Sequence, residues 1–568
     1  MSRDALNAQL VLAEKYFSQK NFPQAELIFR SILLSYPDHS RTNELLAYVL
    51  DARGDSDTAS AHLIRACSNS EASFQALYTL GSYFLARQQY LEAAGYINRS
   101  LIKRGDFFEG LHDLGLAYAG LKKFKEAAKY LQDALRLNPQ SFEALNNLGA
   151  ALRNLGEFSE SLQSLDKALQ VQPKDPSALL NKGVTFDTMG EFEKALSCYD
   201  EALQSSPSYL EAICNKANAL QCMRRYSEAD ELYEAALKMA PQDADSHYNH
   251  SHLCLLRGNF ELGWDKYEAR WHSTDAPSYA FHGMPPLVST ENLRDKKILV
   301  WCEQGLGDSI QFCRYISLLR NLGAKVTLLV QPALVELLRN LDGVEKIETE
   351  HANCNTGFDF QIPVMSLPRL FKTNLANIPL GIPYIHPDPQ KTKRWAQSLG
   401  SQDRLRVGLV WSGGFRKDSP AIWAVNRRRN IPFSEIAALQ KVEGVEFFSL
   451  QKGDPAEAEF LAEGAQIWLE KNLRNPASEL HHFSDTAALI ENLDLVISVD
   501  TSTAHLAAAM GKPVWMLNRY DSCWRWLMER SDSPWYPSLR IYSQENPGDW
   551  GAVVSRVAAD LTDLAKKR

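Results

Sequence analysis

Small and apolar positions recur every 34 residues from about Leu6 to Pro277, without an insertion. One phase of the pattern is held by Ala13, Ala47, Gly81, Gly115, Gly149, Gly183, Ala217 and Ser251, and a second by Ala25, Ala59, Ala93, Ala127, Ser161, Ala195, Ala229 and Gly263. Two small residues per period let a pair of helices cross closely. Pro37, Pro139, Pro173, Pro207 and Pro241 keep the same register, and each predicts the end of a second helix, since proline supplies no backbone donor to continue it. One helix pair cannot bury its apolar face alone. The pairs therefore stack into a superhelix whose inner surface is lined by the first helix of each unit.

Beyond the repeats the periodicity changes. Residues 273–295, with Pro277, Gly283, Pro285 and Pro286, read as a linker. An apolar run at 298–302 then ends in Gln304-Gly305-Leu306-Gly307-Asp308 and leads into a helical pattern through Ile310, Cys313, Ile316 and Leu319, with a further strand at 326–330. A second such unit opens with the run 407–411 and the turn Ser412-Gly413-Gly414, and strands recur at 445–450, 495–499 and 513–517. This alternation predicts two parallel, doubly wound halves facing each other across a cleft, with ligands beyond the carboxyl ends of the strands. The expected division is a repeat superhelix over 1–272, the linker, a first Rossmann-like lobe over 296–390 and a second over 391–568.

Charge narrows the partners. Sixty-one Lys and Arg against 69 Asp and Glu give a net charge of −8, which argues against nucleic acid or an anionic membrane as the main partner. Asp4 and Glu14 flank a short apolar stretch at the N-terminus, unlike a signal peptide, and no apolar run approaches a membrane span. Nine cysteines without a CxxC pair suit buried thiols in a reducing compartment. A cytoplasmic protein is expected.

Candidate chemistry clusters at the strand ends. Asp308 is placed to act as a general base or, equally, to cap the helix after its turn. Asp500-Thr501-Ser502-Thr503-Ala504-His505 follows a buried strand and opens a helix expected over 505–510, whose free N–H groups would suit a phosphate. Capping by Asp500 or Thr501 is the plainer alternative. Arg427, Arg428 and Arg429, with Lys452 after Gln451, could neutralise a pyrophosphate or form a solvated face. The two DxD sequences, 55–57 and 243–245, fall in repeat turns, and His481-His482 has no companions at ligand spacing, so no metal is expected. There is no GxSxG elbow and no full dinucleotide fingerprint. On the first helix of four repeats stand Asn147, Asn181, Asn215 and Asn249, whose amides suit the backbone of an extended peptide or simply follow the habit of the repeat.

The 34-residue unit resembles the tetratricopeptide repeat, in about eight copies. The segments EQGLGDSIQF and ISVDTSTAHLAAAMGKPVW resemble the heptosyltransferase-related glycosyltransferases with the two-lobed GT-B fold. That resemblance implies Asp308 as base. It also implies a donor site of Gly305, Gly307, Ser412, Gly413, Arg429, Gln451, Lys452, Asp500, Thr501, Ser502 and His505, with Glu457 a looser match to a sugar-contacting acid. Ser502-Thr503-Ala504 replaces the glycine-containing middle of the heptose enzymes, so the donor need not be an ADP-heptose. Repeats ahead of a GT-B domain are similar in architecture to the O-GlcNAc transferases and to bacterial flagellin glycosyltransferases. The architecture implies a metal-independent inverting glycosyltransferase that uses a nucleotide sugar as co-substrate and no cofactor. Its acceptor would be a protein such as flagellin, held by the asparagine ladder. A transferase for lipid or polysaccharide recruited by its repeats, and a scaffold with an inactive lobe, are the alternatives.

Overall fold

The computed structural model describes residues 2–68, 70–274, 276, 281, 283–354, 356–414 and 420–567, without the side chains of 420–422. Two compact units are formed. One runs to Met189 and includes Ser197–Pro207; the other contains Gly190–Leu196 and the chain from Ser208 onward.

Among the described residues, sixteen α-helices from Arg3–Ser18 to Phe260–Tyr267 make the solenoid. The small residues explain the close helix pairs. A Cβ on Gly81 would come within 2.5 Å of Ile97, one on Gly115 within 2.7 Å of Leu131, and one on Gly149 within 2.5 Å of Leu165. Helices end at Ser35, Leu137, Val171, Ser205 and Met239, each two residues before one of the prolines in register. The eighth repeat consists of α1 (Ala244–Leu256) and α2 (Phe260–Tyr267).

Two wholly parallel sheets follow. The first contains β1 (Lys297–Trp301), β2 (Lys325–Leu329), β3 (Val344–Glu348) and β4 (Phe360–Pro363), in the order β3-β2-β1-β4. The second contains β5 (Leu405–Val410), β6 (Val445–Ser449), β7 (Leu473–Arg474), β8 (Leu495–Val499), β9 (Val514–Asn518) and β10 (Leu539–Ser543), in the order β10-β9-β8-β5-β6-β7. The chain is thus an α-solenoid followed by an α/β region. In each sheet the strand order reverses beside the strand that carries a glycine turn, β1 in one and β5 in the other, and such reversals open a crevice at the carboxyl ends.

The segment expected as a linker lies partly outside the described residues. In its described part Pro286 pairs with Gln361, and Phe281 and Met284 pack with Leu299 and Trp301. The eighth repeat shares the core of the first sheet: Trp264 packs edge-on against Phe312 and Trp524, and Phe260 stacks on Trp535. No described helix is long and apolar enough to cross a membrane. No disulfide joins the described cysteines.

Candidate active site

The glycine turn after β1 runs directly into α3 (Leu306–Phe312). Asp308, at the third helical position, accepts the Gly305 N–H on Oδ2 at 3.0 Å, so the capping role is realised with one oxygen. The other oxygen, Oδ1, forms an ion pair with Arg525. Gln331 secures the turn by donating to the Gln304 carbonyl at 2.7 Å while accepting from Ser309 at 2.9 Å.

On the opposite side, α4 (Pro420–Arg429) ends in the arginine triplet, and α5 (Ser502–Ala509) follows β8. The helix α5 begins three residues earlier than expected. Its N-cap, Thr501, makes no side-chain cap, and its hydroxyl lies 3.0 Å from that of Ser498. The two motifs meet here: a Cβ on Gly307 would lie 3.1 Å from His505 Cδ2 and 3.6 Å from Ser502 Cα. Glycine at 307 is what allows that approach.

Arg429 donates to the Asp500 carbonyl at 2.8 Å and bonds Asn426, with its guanidinium lying over Gly413, where any Cβ would overlap it. Arg428 pairs with Asp521 at 2.9 Å. His505 is buried, with Nδ1 3.0 Å from the Tyr536 hydroxyl, Nε2 3.8 Å from Asp500, and its ring stacked on Trp526. Burial pushes its imidazole down to about 4. Burial alone would raise the Asp500 carboxyl, but His505, Arg429 and Arg525 outweigh it and hold the group below its ordinary value.

The remaining expected donor residues form a structural clip. Gln451 accepts from the Trp411 and Ser412 N–H groups at 3.2 and 2.9 Å and donates to the carbonyls of Ser412 and Lys452, tying the ends of β5 and β6 together. Gly413 donates to Asn430 at 2.9 Å. Lys452 reaches the Ala477 carbonyl at 2.8 Å and stands 3.6 Å from Glu457, which accepts the Gly453 N–H. None of these contacts involves Asp308 or His505. The ladder amides are half-buried and partly engaged. Asn147 contacts His112 at 3.3 Å, Asn181 donates to Asn146 and accepts from Arg153, and Asn215 donates to Glu211 within its own helix.

Three residues missed in the sequence complete the site. Arg525 is half-buried, stacks on Trp524 at 4.2 Å and donates to Gln311 at 3.1 Å besides holding Asp308. From the eighth repeat, Tyr267 accepts from Gln304 at 3.0 Å, and the buried Arg270 donates to Glu303 at 3.1 Å and Ser366 at 2.8 Å. Burial raises Glu303 to about 7 against the pull of Arg270. A larger open cavity of about 790 Å³ lies among Trp264, Glu268, Trp271, Val288, Ser366 and Arg369, and the residues around Asp308 do not line it.

Residues 44–106, 112–176, 151–209 and 214–271 match the tetratricopeptide repeat, and 430–548 match glycosyltransferase family 9 (heptosyltransferase). The chain joins tetratricopeptide repeats to a glycosyltransferase family 9 domain. That family match takes in Asp500 to His505 and Arg525. Protein FlbA of Caulobacter vibrioides is 29% identical over 340 residues, which are 55% of this chain and 54% of FlbA, so the chain spans about half the length of that relative. Among solved structures, the tetratricopeptide repeat protein YrrB, described as having an unusual peptide-binding site, is 25% identical with a TM-score of 0.30, covering 33% of this chain and 95% of YrrB. A tetratricopeptide repeat protein from Parabacteroides merdae is 18% identical with a TM-score of 0.37, covering 40% and 91%.

Proposed function

We infer that the chain transfers a sugar from a nucleotide-sugar donor to a hydroxyl of a protein acceptor held by the repeats, through a GT-B arrangement, without a metal and with inversion at the anomeric carbon. The observation that carries this reading is the meeting of the Asp308 turn with the uncapped start of α5, where Gly307 packs on His505 and Ser502. A carboxylate from one sheet and a phosphate-suited helix start from the other then flank the same small space. In this reaction the acceptor hydroxyl gives its proton to Asp308 as its oxygen attacks the anomeric carbon, and the bond to the phosphate breaks with its electron pair on the phosphate oxygen. The N–H groups of α5 and the charge of Arg429 receive that developing negative charge. The protein acceptor rests on the solenoid, whose concave surfaces suit extended polypeptide.

Asp308→Asn tests the reading, because it keeps the shape of the side chain and removes the base. Turnover is expected to fall on the order of 100- to 10,000-fold, with nucleotide binding retained. Near-normal turnover leaves Asp308 as a helix cap alone and removes the proposed mechanism.

A further inference from the structure

Both oxygens of the Asp308 carboxylate are engaged, one by the Gly305 N–H and the other by Arg525. A carboxylate so held is poorly placed to receive a proton, so the base must be released before transfer. Arg525 comes from the second half of the molecule, from the short Trp524–Trp526 segment, and crosses to the turn of the first. Its own setting is tightly built: Trp524 lies under the guanidinium, Gln311 accepts from Nε, and Cys523 Sγ lies 3.2 Å from Nη1. Its charge also acts on Asp500 and His505, at the start of α5, and Trp526, the next residue, is stacked on His505. One half-buried cation thus touches the proposed base and acts on the charge at the start of the proposed phosphate site.

We propose that Arg525 changes partner in each catalytic cycle, holding Asp308 while the donor site is empty and moving to the diphosphate of the bound nucleotide sugar. The proposal rests on the reading of Asp308 as base and α5 as the phosphate site. Its physical basis is competition. A diphosphate carries more charge than a carboxylate and offers paired oxygens to the planar guanidinium, so it is the stronger partner for a half-buried arginine. Once Arg525 has moved, Asp308 is free to take the acceptor proton. The acceptor oxygen bonds to the anomeric carbon, the carbon–phosphate oxygen bond breaks towards the phosphate, and Arg525 faces the added negative charge. When the nucleoside diphosphate departs, Asp308 returns its proton to water and Arg525 takes it back. The consequence is a fixed order of binding, donor before acceptor.

Calorimetric titration of the full chain with UDP, GDP and ADP provides the test. Asp308→Asn removes the rival for Arg525, so the diphosphate that binds the parent should bind this variant roughly tenfold more tightly. Arg525→Gln should weaken the same nucleotide by roughly 10- to 100-fold, and Arg525→Lys should recover part of that loss. In the double variant Asp308→Asn/Arg525→Gln, which removes both charges of the pair together, the tightening should vanish. Unchanged affinity in Asp308→Asn, or tightening that persists in the double variant, overturns the exchange of partners. If none of the three nucleotides binds the parent, the donor-site reading itself fails, and that outcome is distinct from failure of the exchange.

Discussion

Replacing Gly307 with alanine would place a methyl group in the seam where the two motifs meet. That carbon would lie 3.1 Å from His505 Cδ2, whereas carbon atoms in contact prefer about 3.5–4.0 Å. A few tenths of an ångström must be found somewhere. The imidazole cannot readily supply them, because it is buried, held by the Tyr536 hydroxyl at 3.0 Å and stacked on Trp526. The turn and α5 must therefore part slightly. Overpacking of this kind costs about 1–3 kcal/mol, and replacing glycine inside a helix returns about 0.8–1 kcal/mol. The net loss is at most about 2 kcal/mol, a shift of a few degrees in melting temperature. Catalysis is more sensitive: a 1 Å misplacement costs roughly 100-fold, so a third to a half of that displacement predicts a loss of about 4- to 10-fold. Turnover of the nucleotide sugar and thermal unfolding, measured side by side, separate the two effects. Gly95→Ala, in a repeat helix with open space around the new carbon, calibrates the helix contribution alone. Full turnover and a raised melting temperature in Gly307→Ala would refute the claim that the two motifs act across a tight seam.

Arg429→Ala removes a guanidinium that donates to the Asp500 carbonyl beside α5; a charge-assisted contact is worth about 1.5–3 kcal/mol, so nucleotide affinity should fall roughly 10- to 150-fold by calorimetry while acceptor affinity holds. His505 titrates near 4 in the folded chain against an ordinary 6.5, so the unfolded chain takes up the proton first as pH drops. The associated stability is fully present above about pH 6.5 and is lost on descending towards pH 4, by roughly 3 kcal/mol in all. His505→Gln should flatten that share of the decline in a pH series of unfolding curves, and an unaltered decline would contradict it. Replacing Asn147, Asn181, Asn215 and Asn249 together with alanine removes amide contacts at about 0.5–1.5 kcal/mol each. Transfer to a protein acceptor should drop while nucleotide affinity stays level, and undiminished transfer would assign the four amides to the repeat alone.

What could be read from the sequence was what depends on neighbours along the chain. The helix pairs followed from side-chain size at fixed spacing, and the buried strands β1, β2, β5, β6, β8 and β9 from continuous apolar runs. The other four strands escaped for physical reasons. β3 is an edge strand carrying Glu345 and Lys346, β4 and β7 are very short, and β10 mixes Arg540 into its apolar run. The start of α5 was placed late because Ser502 and Thr503 favour turns and caps, yet both are helical here. Gln451, which the resemblance assigns to the donor site, has its amide joining β5 and β6, a pairing distant in the chain that no local pattern announces. Arg525 and Arg270 were out of reach, since their partners Asp308 and Glu303 lie 217 and 33 residues away in the chain. For Arg525 the available signal was one arginine between two tryptophans.

Tyr267 and Arg270 give the eighth repeat a second occupation, since they grip the strand end from which the Asp308 turn departs. For anyone wishing to exchange the repeats, this fixes where scissors can go. A graft made at residue 272 would remove two fasteners of the Asp308 turn and strip Trp264 from its packing on Phe312 and Trp524. Exchanging only the repeats before Gly190 leaves that grip intact and keeps Gly190–Leu196, which belong to the same unit, so the interchangeable part of the solenoid ends well before the solenoid itself does.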